Sequence, residues 1–232
     1  MKVLSVVIPA YNEERFIGTL LERIRAVDLS PLGFARELIV VDDCSKDTTA
    51  EIVAAQPDVR LIRQPKNAGK GAAVRAGLAA ATGDVVIIQD ADLEYDPQDH
   101  VKMLKVFVSG TSTVVYGSRY MGTGKHANQS LAAYLGGRSL SAVGWVFTGA
   151  FLTDTVTALK MFPRELLQSL NLETSGFELD HEITAKVTAR GYKIVEVPVS
   201  YFPRSKAEGK KIGLKDWFIA VRTFATYRRS RR

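Results

Sequence analysis

The segment VVIIQDADLEYDP, residues 85–97, sets a continuous apolar run directly against four carboxylates, Asp90, Asp92, Glu94 and Asp96. The apolar run reads as a buried strand. The carboxylates fall at alternate positions, so a chain that stayed extended would carry them on one side. Like charges at the end of a buried strand are unfavourable unless something compensates them, and no cation interrupts them in the chain. A solvated acidic turn is one reading. A bound cation is the other, because carboxylates at this spacing suit a hard divalent ion that keeps water and substrate phosphates in its remaining positions.

Working outward, residues 3–11 (VLSVVIPAY), 36–43 (RELIVVDD), 59–65 (VRLIRQP) and 112–120 (STVVYGSRY) read as further strands. Between them, residues 12–27 predict a helix with Ile17, Leu20, Leu21 and Ile24 on one face. Residues 44–56 predict a helix that Ser45 or Asp47 could cap. Residues 70–81 form an Ala-rich helical stretch, and 97–109 a helix with proline near its first turn. After residue 120 the pattern loosens. Residues 122–129 read as a loop, 139–151, 163–170 and 178–191 as helices, and 214–229 as a final helix. Residues 193–203 read as a late strand whose internal proline favours a sheet edge.

Strands alternating with helices, and strands that are nearly all β-branched, imply a parallel sheet covered on both faces. Ligands bind such sheets beyond the carboxyl ends of the strands. The polar clusters PAYNEE (9–14), DDCS (42–45) and DADLE (90–94) all lie at those ends.

The 232 residues, 46% of them hydrophobic, are enough for one sizeable core, so a single domain is expected. No run approaches eighteen apolar residues, and no membrane-spanning helix is expected. The opening MKVLSVVIPAYNEE lacks the apolar stretch and cleavage site of a signal peptide. The single cysteine, Cys44, excludes an internal disulfide and suits a reducing cytoplasm. The net charge of +6 is uneven: from Arg204 onward there are ten Lys or Arg against two Asp or Glu, which leaves the first 203 residues at −2. A basic tail of this kind fits an anionic lipid, a phosphorylated substrate or nucleic acid. No nucleic-acid motif supports the last.

VVIPAYNEE (6–14), ELIVVDDCSKDTT (37–49), NAGKGAAVRAG (67–77), GDVVIIQDADLEYDP (83–97) and YGSRYM (116–121) together resemble family 2 glycosyltransferases. The subgroup they resemble is that of dolichyl-phosphate mannose and glucose synthases and their bacterial relatives. LTDTVTALKMF (152–162), residues 176–201 and AEGKKIGLKDW (207–217) extend the resemblance almost to the C-terminus. It implies a GT-A fold, a Rossmann-like and mostly parallel sheet flanked by helices. Residues 1–120 would form the nucleotide-sugar half, 121–213 the acceptor half and 214–232 a basic amphipathic helix. The implied activity is inverting transfer of a hexose from a donor of the GDP-mannose or UDP-glucose class to a polyprenyl phosphate, with Mg²⁺ or Mn²⁺.

By that resemblance Pro9, Tyr11, Glu13, Val41 and Asp43 line the nucleotide pocket, and Asp90, Ala91 and Asp92 face the sugar nucleotide. Asp92 and Glu94 would coordinate the metal. Arg204 and Lys210 or Lys211 belong to a loop that would close over the diphosphate and exclude water. Lys70 lacks the following Ser or Thr of a phosphate-binding loop; it is a candidate nucleotide sensor, while Gly71 and Ala72 would let the helix pack closely on the sheet. Arg119 and Arg138 are candidates for clamping an acceptor phosphate in bidentate fashion. A hydroxyl acceptor would instead need a base such as Asp154 or Asp180. Asp154 and Glu182 are also candidates for holding the arginines or sugar hydroxyls. The rival readings are the same fold with a saccharide or other hydroxyl acceptor, a sugar-phosphate nucleotidyltransferase, and a non-catalytic binding module. The Gly-rich loop that a nucleotidyltransferase needs after its first strand is absent from PAYNEERF.

Overall fold

The computed structural model describes residues 1–121, 131–203 and 214–228. Its strands are β1 (Lys2–Ala10), β2 (Phe34–Asp42), β3 (Val59–Arg63), β4 (Val85–Ile88), β5 (Val114–Ser118), β6 (Lys160–Pro163) and β7 (Ile194–Pro198). Its helices are α1 (Ile17–Arg25), α2 (Thr49–Ala54), α3 (Lys70–Ala80), α4 (Asp99–Val108), α5 (Leu131–Thr148), α6 (Arg164–Ser169), α7 (Leu179–Ala189) and α8 (Leu214–Tyr227). The strands form one sheet in the order β3-β2-β1-β4-β6-β5-β7.

Alternation along each strand builds the two faces. Leu4, Val6 and Ile8 of β1 join Val85 and Ile87 of β4 in one buried cluster with Ile17, Leu20, Leu21 and Ile24 of α1. Val7, Val86 and Ile88 point the other way, against Ala73, Val74 and Leu78 of α3 and Leu179 and Ile183 of α7. Both faces are covered, which is why the strands are apolar throughout rather than alternating. The chain runs outward from β1 through β2 to β3, then returns to place β4 on the other side of β1. The four are parallel. The loops after β1, β2 and β4 therefore open onto one crevice at the reversal of strand order, where this class of sheet binds ligands.

Several local expectations change. α1 begins at Ile17, five residues later than the sequence pattern, because the preceding turn is tied elsewhere. Asn12 is left-handed at φ 56°, and the N–H groups of Asn12 and Glu13 donate to the hydroxyls of Ser45 (2.9 Å) and Thr49 (2.8 Å). Ser45 thus serves that turn, while Asp47 joins both segments, accepting from the N–H of Glu14 (3.2 Å) and from that of Thr49, the first residue of α2 (3.0 Å). The N-cap position itself is Thr48, which makes no side-chain cap bond. β6 went unread as a strand. It enters antiparallel between β4 and β5, making the sheet mixed though mostly parallel. Pro198 does end an edge strand, β7. α5 starts eight residues earlier than the pattern suggested. The aromatic residues of α8 divide: Phe224 is fully buried, whereas Phe218 is 62% exposed. The loop expected at 122–129, and Arg204, Lys210 and Lys211, lie outside the described residues.

Candidate active site

The donor end begins with a register. Pro9 of β1 stands directly beside Val41 of β2, which places the two predicted pocket residues side by side at the crevice. Tyr11 and Glu13 follow in the turn just described, both half-buried. Asp43 is nearly fully buried, and its carboxylate accepts from Gln64 Nε2 (3.0 Å) and from the backbone N–H groups of Ala68 and Gly69 (both 2.8 Å). Its side chain holds the turn that leads into α3. That turn needs glycine at 69, where φ is 93° and a Cβ would run into the carbonyl of Ser175. Gly71 allows close packing as expected, but its neighbour is the backbone of Thr174–Gly176; Gly77 is the glycine that lies against the sheet, on Val7 and Val41.

The acidic stretch does not continue as a strand. β4 stops at Ile88, and the chain turns through Leu93 at φ 59°, so the four carboxylates do not share one side. Each acquires its own surroundings. Asp90 pairs with the ammonium of Lys70 at 2.8 Å. Asp92 accepts from the N–H of Glu94 (3.1 Å), and Glu94 accepts from the hydroxyl of Tyr201 (2.8 Å). Asp96 accepts from the N–H of Gln98 at the start of α4 (3.0 Å). The compensating cation that local sequence lacked is thus Lys70, delivered by the Asp43-held turn. Burial pulls its pKa down, but Asp180 and Asp90 outweigh that and raise it above the ordinary lysine value.

A second polar cluster lies at the end of β5. Arg119, 9% exposed, makes a bidentate pair with the fully buried Asp154, Nε to Oδ2 at 2.6 Å and Nη2 to Oδ1 at 2.7 Å. Burial opposes the arginine charge, and Asp154 overrides it, so the pKa is raised. Asp154 is placed by Glu196 of β7, whose carboxylate accepts from the N–H groups of Asp154 (2.8 Å) and Thr153 (2.7 Å). The Arg119 guanidinium lies over Tyr201 and Tyr120, and that of Arg138 lies over Tyr120 as well. Arg138 also donates to the Thr153 carbonyl (2.8 Å). The two acceptor candidates therefore flank one aromatic ring. Tyr201 ties the cluster to the donor end by packing on Tyr95 and bonding Glu94.

Neither candidate base stands apart. Asp154 is committed to Arg119, and Asp180 pairs with Lys160 (2.7 Å) and Lys70 (3.4 Å). Burial alone would raise the Asp180 pKa, yet the two lysines hold it below the ordinary value. Among the described residues Glu182 reaches no arginine; it is fully buried, accepts from Glu173 and Thr174 N–H groups (2.9 Å each) and pairs with Lys186 (2.6 Å). Sequence reading missed Glu196, Tyr201 and Lys160. The signal was there for two of them: Glu196 is a lone acid in an apolar strand and Lys160 a lone cation in TALKMF. Among the described residues, no group of three or more His, Cys, Asp or Glu side chains is arranged to hold a metal ion. Any ion here would rely on Asp92 and Glu94, both partly exposed and both oxygen donors, with phosphate and water completing its shell. That suits Mg²⁺ or Mn²⁺.

The mostly parallel sheet, its flanking helices and its crevice have the GT-A fold. Glucosyl-3-phosphoglycerate synthase of Mycobacterium tuberculosis, solved with UDP, superposes with a TM-score of 0.72 over 99% of this chain and 80% of that one, at 24% identity. The family model for glycosyl transferase family 2 matches residues 5–170. A dolichol-phosphate mannosyltransferase of Pyrococcus furiosus is 33% identical over 218 residues, which is 92% of this chain and 60% of the relative's length. A dolichyl-phosphate beta-glucosyltransferase of Trichomonas vaginalis is 31% identical over 97% of this chain and 72% of the relative. The chain belongs to glycosyl transferase family 2.

Proposed function

We propose that this enzyme transfers a hexose from a nucleotide-diphosphate sugar of the GDP-mannose or UDP-glucose class to a polyprenyl phosphate, with inversion at the anomeric carbon. The observation that carries the reading is the state of the two candidate bases. A hydroxyl acceptor must lose its proton to a base, and the two candidates, Asp154 and Asp180, are both bound in ion pairs. A phosphate acceptor is already anionic at neutral pH. It needs cations that are held in place, and Arg119 and Arg138 around Tyr120 supply them.

At the donor end, Pro9, Tyr11 and Val41 line the base and ribose, with Glu13 beside them. Asp43 contributes by holding the turn that delivers Lys70. Asp90, Ala91 and Asp92 face the sugar and diphosphate. Asp92 and Glu94 would hold a divalent ion, which as a Lewis acid supplies stabilisation of charge on the departing diphosphate. The synthase of M. tuberculosis named above has also been solved with Mn²⁺ and UDP, which supports the reading of a divalent ion. Arg204 and either Lys210 or Lys211 would close over the diphosphate.

A lipid acceptor stays in the bilayer, so the enzyme works against the cytoplasmic leaflet as a peripheral protein. Among the described residues no helix is long and apolar enough to cross a membrane. Exposed Leu135, Trp145 and Val146 of α5, with Phe218, Lys215 and Arg222 of α8, suit an anionic surface. The test is a panel of GDP- and UDP-sugars with Mg²⁺ or Mn²⁺, with and without polyprenyl phosphate, scored for product. Lipid-linked hexose formed only when polyprenyl phosphate is present is the expected result. Equal transfer to a saccharide with no lipid present would overturn the acceptor assignment.

A further inference from the structure

Lys160 is a fully buried cation in the middle of the sheet. Its position follows from the antiparallel register of β6, which sets it opposite Ile88, the last residue of β4 and two residues before Asp90. The ammonium meets three acceptors, Asp180 Oδ1 at 2.7 Å, the Thr157 carbonyl and the Thr155 carbonyl at 3.4 Å, and lies over the ring of Tyr116. Three acceptors match the three donors of a charged lysine. Asp180 sits in the first turn of α7, where a carboxylate is favoured by the helix dipole. Its other oxygen, Oδ2, reaches Lys70 at 3.4 Å, and Lys70 reaches Asp90 at 2.8 Å. Lys70 is itself the first residue of α3, an unfavourable place for a cation unless carboxylates hold it.

The four side chains form a line of alternating charge, Lys160, Asp180, Lys70, Asp90, running from the core to the donor crevice. Lys70 is shared between two carboxylates. How it divides itself depends on how much of the Asp180 charge is already neutralised from below. We propose that Lys160 and Asp180, which lie behind the donor surface, are positioning residues for the sugar nucleotide: they keep Lys70 on Asp90 and so fix the Asp90 carboxylate at the end of β4. The inference rests on the reading that Asp90 faces the donor sugar. Without Lys160, Asp180 is a buried anion with one partner left, and it draws Lys70 inward and off Asp90. Removing the Asp180 charge as well leaves the Lys70–Asp90 pair intact and neutral. A merely structural role for Lys160 predicts that the second substitution restores stability, but not that the loss and its recovery fall on donor kcat/KM while acceptor KM and nucleoside-diphosphate binding stay unchanged.

The experiment compares wild type, Lys160→Met, Lys160→Met/Asp180→Asn and Asp90→Asn, with UDP-glucose and GDP-mannose as donors and Mn²⁺ present. The readouts are kcat, donor KM, acceptor KM, and calorimetric binding of UDP and GDP. Lys160→Met is expected to lower kcat/KM for the donor at least about 10-fold, with acceptor KM and nucleoside-diphosphate binding within about twofold of wild type. The double variant is expected to recover most of that loss. Donor kinetics of Lys160→Met within twofold of wild type, or a double variant as impaired as the single one, would overturn the proposal. If Lys160→Met does not fold, the double variant still decides: near-wild-type donor kinetics support the line of charges, and a 10-fold loss refutes it. Asp90→Asn separates the two levels. Wild-type turnover in that variant refutes the donor-site reading itself, whereas an inactive Asp90→Asn beside a normal Lys160→Met refutes only the positioning role.

Discussion

Replacing Asp154 by Asn tests how Arg119 is held. The carboxylate receives two N–H groups on each oxygen: Arg119 Nε (2.6 Å) and backbone N (3.1 Å) on Oδ2, and Arg119 Nη2 (2.7 Å) and Val156 N (3.2 Å) on Oδ1. Asparagine keeps the volume but turns one oxygen into an NH₂. Whichever way the amide sits, its NH₂ faces two donors, and the arginine charge loses its counterion. Gross attraction at 2.6 Å is about 6 kcal/mol for an effective dielectric constant near 20. Part of it is offset by desolvation, and removing one partner of a buried pair leaves a net loss of roughly 3–5 kcal/mol. A domain with about 10–15 kcal/mol of stability remains mostly folded after that loss, and one near about 5 kcal/mol is brought close to its unfolding midpoint. The assay is urea unfolding of Asp154→Asn, Arg119→Met and the double variant. The singles are expected to fall by roughly that amount, and the double to fall at least about 2 kcal/mol less than their sum. In the folded Asp154→Asn enzyme, the kinetic defect is expected in acceptor saturation and not in donor KM. A single variant within about 1 kcal/mol of wild type, or strict additivity, would refute the account of Arg119 as a cation held by its carboxylate.

Asp92→Asn is expected to lower turnover by at least about 100-fold while far-ultraviolet circular dichroism is unchanged; near-normal rates would count against Asp92 as a metal ligand. Burial pushes the pKa of His100 down to about 3 and that of His181 to about 4, so both are neutral when folded and bind protons near 6.5 only when unfolded. The unfolded state then holds more protons below pH 6.5, and stability is expected to fall as the pH drops from 6.5 towards 4, by up to about 1.4 kcal/mol per unit for each histidine. Denaturant midpoints across that window check it, with His181→Gln reducing the slope; a flat profile would refute it. Gly77→Ala adds a Cβ that would collide with Val7 and press on Val41, and is expected to destabilise by about 1–3 kcal/mol in urea titration. No change there would mean that α3 moves off the sheet freely.

Much of this protein could be read along the chain. Hydrophobic periodicity depends on neighbours a few residues apart, so the buried face of α1, Ile17, Leu20, Leu21 and Ile24, appears in the structure residue for residue. The β-branched runs marked β1, β2, β4 and β5, and their apolar uniformity implied a sheet covered on both sides. Polar clusters at their carboxyl ends then located the crevice. β6 escaped because four residues carrying a lysine have no period to detect.

Ion pairing was the part that only the tertiary structure decided. Lys70 and Asp180 are 110 residues apart, Arg119 and Asp154 are 35 apart, and Glu94 and Tyr201 are 107 apart. Nothing local in a sequence says whether an aspartate will end as a free base, a metal ligand or the counterion of a buried cation. Its charge acts over a few ångströms in a medium of low dielectric constant, and the neighbours within that distance are chosen by strand order and register. The chain by itself declared a ligand-binding sheet edge lined with acids. Folding β6 against β4, and β7 beside β5, determined which of those acids were already spoken for.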